Sequence, residues 1–194
     1  GLVFGVWVFV LLVAVFGVVL NVPLVKGDSG TIYIRADGTI DPPTAPITTL
    51  DNVTYTLTGN ITSSGDGIIV ERDNITIDGD WYTVQGTGSG IGISLFGRTN
   101  VTVRNTAIKV FYYGISLSNS SSNIISGNGI IGQYNGDFGI CVGSSSSNII
   151  TGNTVRNFSG CPISLDSSFN NTVAGNNVTN NYEGIMLSSC SSSN

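Results

Sequence analysis

Asparagine returns along this chain at nearly even steps. It stands at Asn52, Asn74, Asn100, Asn123, Asn148, Asn171 and Asn194, with intervals of 22, 26, 23, 25, 23 and 23 residues. Similar residues flank the later copies: SSSNIISGN from Ser120, SSSNIITGN from Ser145 and SFNNTVAGN from Ser168. A second marker keeps the same period, in Gly67-Ile-Ile-Val, Gly92-Ile-Ser-Leu, Gly114-Ile-Ser-Leu, Gly139-Ile-Cys-Val and Gly184-Ile-Met-Leu, with Pro162-Ile-Ser-Leu in one copy. Two markers in step at a short fixed period imply an array of stacked units.

Each unit holds apolar runs of only three to five residues between Gly, Asn and Ser, too short for a helical face. Short runs of Val, Ile, Thr and Tyr bounded by turn formers read as strands. The chain therefore reads as all-β, a parallel β-helix (β-solenoid) of about 22–26 residues per coil, preceded by one N-terminal hydrophobic helix. Residues 1–25 would be that helix, 26–49 a linker and N-terminal cap strand, and 50–194 the repeats. Stacked asparagines can donate to one coil and accept from the next, so all seven are expected to form one structural ladder. Asn128, Asn153 and Asn176 suggest a second. In early coils Val101 and Val103 alternate after Asn100, whereas Ile124 and Ile125 are adjacent after Asn123. Either the register shifts by one residue or a bulge intervenes.

The apolar stretch Leu2–Leu20 is nineteen residues long, about what a membrane-crossing helix needs. An uncleaved anchor and a signal-peptide core are both open, and either exports the repeats. The chain starts without Met and stops inside a repeat, so a longer natural protein is expected. Net charge is −5, and the seven Lys and Arg are scattered, which excludes the basic stripe of a nucleic-acid partner. There is no His and one Met, so neither a metal site nor a cofactor is expected.

The Gly-Ile-x-Leu and Ser-Ser-Asn-x-Ile-Ser-Gly-Asn columns resemble the repeats of right-handed parallel β-helix proteins of the NosD-like group. The segment from Thr31 followed by Asp73-Asn-Ile-Thr-Ile-Asp-Gly79 resembles exported archaeal members. The resemblance implies a right-handed coil and a carbohydrate-related role at the cell surface. Its name-giving branch implies maturation of a copper centre, and the fold's pectin-degrading enzymes prompt a search for paired carboxylates.

No catalytic residue is assigned. The densest acids are Asp66, Glu71, Asp73, Asp78 and Asp80, followed by Trp81 and Tyr82. Asp78, Asp80, Trp81 and Tyr82 are candidates for glycan contact. The competing reading is a turn at Asp78-Gly79-Asp80 with Trp81 packed near the first coils. Tyr112 is a further glycan-contact candidate, while Tyr113 and Phe138 hold equivalent positions and should stack. Gly86-Thr-Gly-Ser-Gly90 lacks nucleotide-loop spacing and reads as a loop. The three cysteines are read as free buried thiols or as a Cys141–Cys161 disulfide with one thiol over. Asn-x-Ser/Thr triplets start at Asn52, Asn60, Asn74, Asn100, Asn119, Asn157, Asn170 and Asn177. Three of these, Asn52, Asn74 and Asn100, belong to the ladder, where a buried amide could carry no glycan.

These features point to an exported cell-surface β-helix, structural or carbohydrate-binding and non-catalytic in this segment. Its expected partners are the membrane, through the N-terminal helix, and glycans or surface-layer proteins. The alternatives are a polysaccharide lyase or hydrolase and a periplasmic copper-maturation factor.

Overall fold

The computed structural model describes residues 29–135 and 137–190, and among them there is no helix. The N-terminal hydrophobic segment and Asn194 lie outside the described residues. The chain opens with β1 (Ile32–Ile34), β2 (Ile40–Asp41), β3 (Ile47–Thr49), β4 (Thr54–Leu57), β5 (Ile61–Thr62), β6 (Ile68–Val70) and β7 (Thr76–Asp78). It continues through β8 (Thr83–Gln85), β9 (Ile91–Ser94), β10 (Thr102–Arg104), β11 (Ala107–Lys109), β12 (Tyr113–Ser118), β13 (Ile124–Ser126) and β14 (Gly129–Ile131). It closes with β15 (Phe138–Gly143), β16 (Ile149–Thr151), β17 (Thr154–Arg156), β18 (Ile163–Asp166), β19 (Thr172–Ala174), β20 (Asn177–Thr179) and β21 (Ile185–Ser188).

Every third strand pairs in parallel with its counterpart one coil away, giving a three-faced parallel β-solenoid of about six turns. Face A stacks β1-β6-β9-β12-β15-β18-β21, face B stacks β4-β7-β10-β13-β16-β19 and face C stacks β5-β8-β11-β14-β17-β20. Only the start departs from this order: β2 pairs antiparallel with β1, and β3 antiparallel with β4. Those two strands occupy the N-terminal edges of faces A and B.

The interior follows from alternation along each short strand. On face B, Tyr55, Ile77, Val103, Ile125 and Ile150 lie in one inward column, all fully buried. Face C supplies Val84, Ile108, Ile130 and Val155, and face A supplies Ile68, Ile93, Ile115, Ile140 and Ile163. The glycine of Gly-Ile-x-Leu also points inward. A Cβ at Gly92 would sit 2.5 Å from both the Gly114 carbonyl oxygen and Ile108, and one at Gly114 would sit 2.5 Å from Ile130. Close approach, rather than backbone freedom, fixes that column.

The asparagines do not form one column. Thr102 pairs with Ile124, a rung of 22 residues, although Asn100 and Asn123 are 23 apart. Asn52, Asn74 and Asn100 therefore occupy the exposed corner position one residue before the inward site, with φ of +54°, +59° and +55°. Ser122, Ser147 and Asn170 fill that position in later coils, at φ +56°, +57° and +55°. Asn123, Asn148 and Asn171 take the next position and point inside, where Ile75 and Val101 stand in earlier coils. The seven-member ladder is thus corrected to two adjacent columns offset by one residue. Between Val101–Val103 and Ile124–Ile125 the ladder runs unbroken; Asn123 replaces Val101 inside, and Ile124 faces out.

The inward amides form closed chains. Asn123 donates its backbone N–H and its Nδ2 to Asn148 Oδ1 (2.9 and 3.0 Å), and Asn148 does the same to Asn171 (3.0 Å each). Each Nδ2 also reaches a backbone carbonyl: Asn123 to Arg98, Asn148 to Ser120 and Asn171 to Ser145. At the B–C corner, Asn128, Asn153 and Asn176 repeat this geometry, with Nδ2–Oδ1 distances of 3.0 Å. There Gly127, Gly152 and Gly175 precede them at φ +65°, +64° and +63°, so a left-handed residue followed by an inward amide builds both corners. A third polar column runs Ser120, Ser145, Ser168 and Cys190, each bonding the carbonyl two residues back and one in the preceding coil. No buried side-chain nitrogen or oxygen among the described residues lacks a partner.

Replacing Asn148 by Ala orphans the Asn123 backbone N–H in a dry corner and removes one of the two acceptors of its Nδ2, leaving the Arg98 carbonyl. Urea titration should show a loss of about 1–3 kcal/mol. Asn74→Gly, at an exposed left-handed position, should change stability by no more than about 0.5 kcal/mol in the same measurement.

Candidate functional site

Uniform stacking leaves flat faces, so relief arises where corners differ in length between coils. The B–C corner is short after β10, only Asn105 and Thr106, but four residues long after β7, where Gly79, Asp80, Trp81 and Tyr82 intervene. The C–A corner changes length throughout, from three residues between β11 and β12 to six between β14 and β15.

The acids of the second coil separate over these features. Asp66 precedes β6 and accepts the Ile91 N–H (2.8 Å). Glu71 pairs with Arg35 (2.9 Å), which also bonds Asp41, and Asp73 lies 3.4 Å from Arg98. Asp78 meets Arg104 (2.9 Å), the Asn105 amide (3.1 Å) and the Asp80 N–H (3.1 Å). Partial burial pushes the Asp78 carboxyl up, but the Asp80 N–H, Asn105 and Arg104 outweigh it and hold it below the ordinary carboxylate range. Such a group stays ionised and is unsuited to donate a proton as a general acid. Among the described residues no three His, Cys, Asp or Glu side chains gather in a set fit for a metal ion.

Asp80 and Trp81 both have positive φ, +44° and +62°, on the tip of the long B–C corner. Trp81 is 66% exposed and does not pack on the first coils, which corrects that part of the turn reading. The turn itself is present, because Asp78 Oδ1 accepts the Asp80 N–H. Tyr82 packs, half-buried, against the core. These four candidates share the B–C corner, whereas Tyr112 lies on the C–A corner.

At the C–A corner the glycine-rich loop and the aromatics come together. Gly88, Ser89, Gly90, Ile91, Tyr112 and Tyr113 line a concavity of about 290 Å³. Tyr113 and Phe138, paired in register, stack at 5.5 Å and 22°, and Tyr112 meets Tyr113 edge-on at 4.8 Å and 86°. Burial, with Cys141 and Tyr112 nearby, raises the Tyr113 hydroxyl above its ordinary range, so it remains a donor. Polar groups border the cleft: a Cβ on Gly90 would sit 2.9 Å from Asp66 Oδ1, and one on Gly88 would sit 2.5 Å from Gln133 Nε2. Sequence reasoning marked Tyr112 and the Gly86–Gly90 loop separately. The approach of Gln133 and Asp66 left no signal, because it depends on which coils are neighbours.

The cysteines are free; Cys161 is buried, whereas Cys141 and Cys190 are half-buried, which corrects the reading of buried thiols at those two positions. Cys141 pairs in register with Ser164, which leaves Cys161 three residues upstream of that partner, about 10 Å along the strand direction. Cα atoms more than about 7 Å apart cannot be bridged without backbone movement, so the Cys141–Cys161 disulfide is not formed. Cys161 is fully buried beside the Ile163 and Gly184 carbonyls.

Residues 47–194 match the family described as periplasmic copper-binding protein (NosD). The chain belongs to the NosD family. No functionally curated protein matches it in sequence. Among solved structures, this NosD-family chain is similar to the enzymatically active domain of tailspike protein 2 of bacteriophage CBA120, with a TM-score of 0.55 and 16% identity. The likeness covers 67% of this chain and 21% of the tailspike chain, and at that identity it concerns the fold alone.

Burial pushes the Cys141 thiol up to about 11, against a hydrogen bond with Ser164 that lowers it. Only the thiolate is alkylated, so at pH 8 iodoacetamide should label Cys141 roughly 100-fold more slowly than a free cysteine. The rate should rise as pH climbs toward 11, read by peptide mass spectrometry.

Proposed function

We propose that this is an exported β-helix whose C–A corner cleft binds glycans without cleaving them. The observation that carries the reading is the concavity of Tyr112, Tyr113 and the side-chain-free edge of Gly88 and Gly90. A ring such as Tyr112, 38% exposed, offers its face to the apolar side of a sugar. The bare loop backbone, the Gln133 amide and the Tyr113 hydroxyl offer hydrogen bonds to the sugar's hydroxyls. The cleft is near the lower end of the ~300–1,000 Å³ usual for ligand sites, which suits one or two sugar units.

Binding without hydrolysis is supported by the disposition of the acids. A glycoside hydrolase needs two carboxyl groups flanking the scissile bond, about 5–9.5 Å apart. Asp66 borders this cleft, and Asp137 on the same corner is buried and committed to the Gln133 and Ser159 N–H groups. Glu71, Asp73 and Asp78 pair with arginines away from it, and Asp80 stands at the tip of the B–C corner. Export is supported by the periplasmic description of the family. The copper in that description does not fit the residues present: the chain has no His, Cys190 lies in the serine column, and Cys161 is buried against backbone carbonyls. Met186 sits in the Cys141 column but two coils away, so soft ligands do not face one another. An anchoring role for the N-terminal hydrophobic segment and a surface-layer partner belong to the same proposal.

A glycan array probed with the protein should give hits that Tyr112→Ala weakens at least tenfold, while Trp81→Ala leaves them within twofold. Equal losses from both variants, or no hit with any oligosaccharide, would overturn the assignment to the C–A corner. Release of reducing ends from a bound glycan would overturn the non-catalytic reading.

A further inference from the structure

We infer that the A–B corner is a line of N-linked glycosylation acceptors, a modification site distinct from the cleft; the inference rests on the export reading. Sequence alone placed Asn52, Asn74 and Asn100 among buried ladder amides, and the fold puts them outside. Seven of the eight asparagines that start an Asn-x-Ser/Thr triplet are exposed, and the eighth, Asn157, is half-buried. The buried ladder asparagines Asn123, Asn148, Asn171, Asn128 and Asn153 all lack the triplet. The two populations do not mix.

The corner itself carries a second, independent pattern. Its left-handed position is held by Asn52, Asn74, Asn100 and Asn170, and in two coils by Ser122 and Ser147. Two residues on, in the outward column of face B, stand Thr54, Thr76, Thr102 and Thr172 after the asparagines. Ile124 and Ile149 stand there after the serines. Structure demands neither choice: serine adopts the same φ, and isoleucine fills the same strand site. Yet the acceptor amide and the hydroxyl required by the transferase occur together four times and disappear together twice. Corner geometry has no use for that coupling, whereas glycan transfer to the Asn amide requires it.

Neighbouring acceptors are close, with Asn100 Nδ2 donating to Asn74 Oδ1 at 3.0 Å. Adjacent rungs are about 4.8 Å apart, so one glycan crowds the next. Asn74 should therefore not be occupied on the same molecule as Asn52 or Asn100, its neighbours on either rung.

The test expresses the full chain with an appended flexible Asn-x-Thr tag, in a host already shown to glycosylate that tag on an exported carrier. Fractionation reports export, and glycopeptide mass spectrometry reports occupancy. The expected result is glycan on the peptide bearing Asn170 and, on any one molecule, either on Asn52 and Asn100 or on Asn74, with none on Asn123, Asn148 or Asn153. Thr102→Val should abolish occupancy of Asn100 and Thr102→Ser restore it, both with an unchanged urea midpoint. An exported chain with a modified tag and bare corner asparagines overturns this inference alone. A chain retained in the cytoplasm overturns the export reading and this inference with it.

Discussion

The parallel pairing of each strand with its counterpart one coil away is the constraint on which the rest of the molecule depends. It fixes every residue beneath its equivalent, so each position along the coil becomes a column with one environment. A column that faces inward meets the same dry interior at each turn, and isoleucine, valine and leucine recur there. A column passing close to the neighbouring backbone excludes even a methyl group, as Gly67, Gly92, Gly114 and Gly139 show. Tyr113 and Phe138 stack for the same reason: register places them together.

Corners are where this regularity is expensive, since the chain must turn while its backbone groups are sealed from water. The solution repeats on two corners: a residue in the left-handed conformation followed by an inward asparagine. Asn148 Oδ1 takes two donors from the coil on one side, and its own N–H and Nδ2 serve the coil on the other. A buried amide left unpaired costs about 1–3 kcal/mol, so the ladder stabilises only as a complete series. The serine column ending in Cys190 works by the same logic, with a thiol in the hydroxyl's place. Surface relief is left to positions outside these columns, on the corners whose length varies from coil to coil.

The architecture was legible before any coordinates, since period and strand-type composition leave few alternatives to a β-solenoid. The glycine column, the second asparagine ladder and the Tyr113–Phe138 stack could also be read from repeat spacing, though not that the glycines face inward. The Cys141–Cys161 pairing failed on distance, and two further readings failed on facing. Trp81 lies on a corner four residues long, and corner length relative to neighbouring coils decides whether a ring packs or projects. Asn100 and Asn123 look equivalent by interval, but a rung of 22 residues separates what the sequence spaces by 23.

By itself, then, the sequence determined the kind of coil, its period and its apolar interior, because these are properties of local spacing summed over many repeats. Tertiary structure decided which asparagines are sealed inside and which stand in solvent. It also decided that Tyr112 and the glycine loop share one cleft while Asp78 and Trp81 lie on another corner. The physical reason is the period-two alternation of a strand: a one-residue offset leaves composition and period almost unchanged yet turns a side chain from core to water.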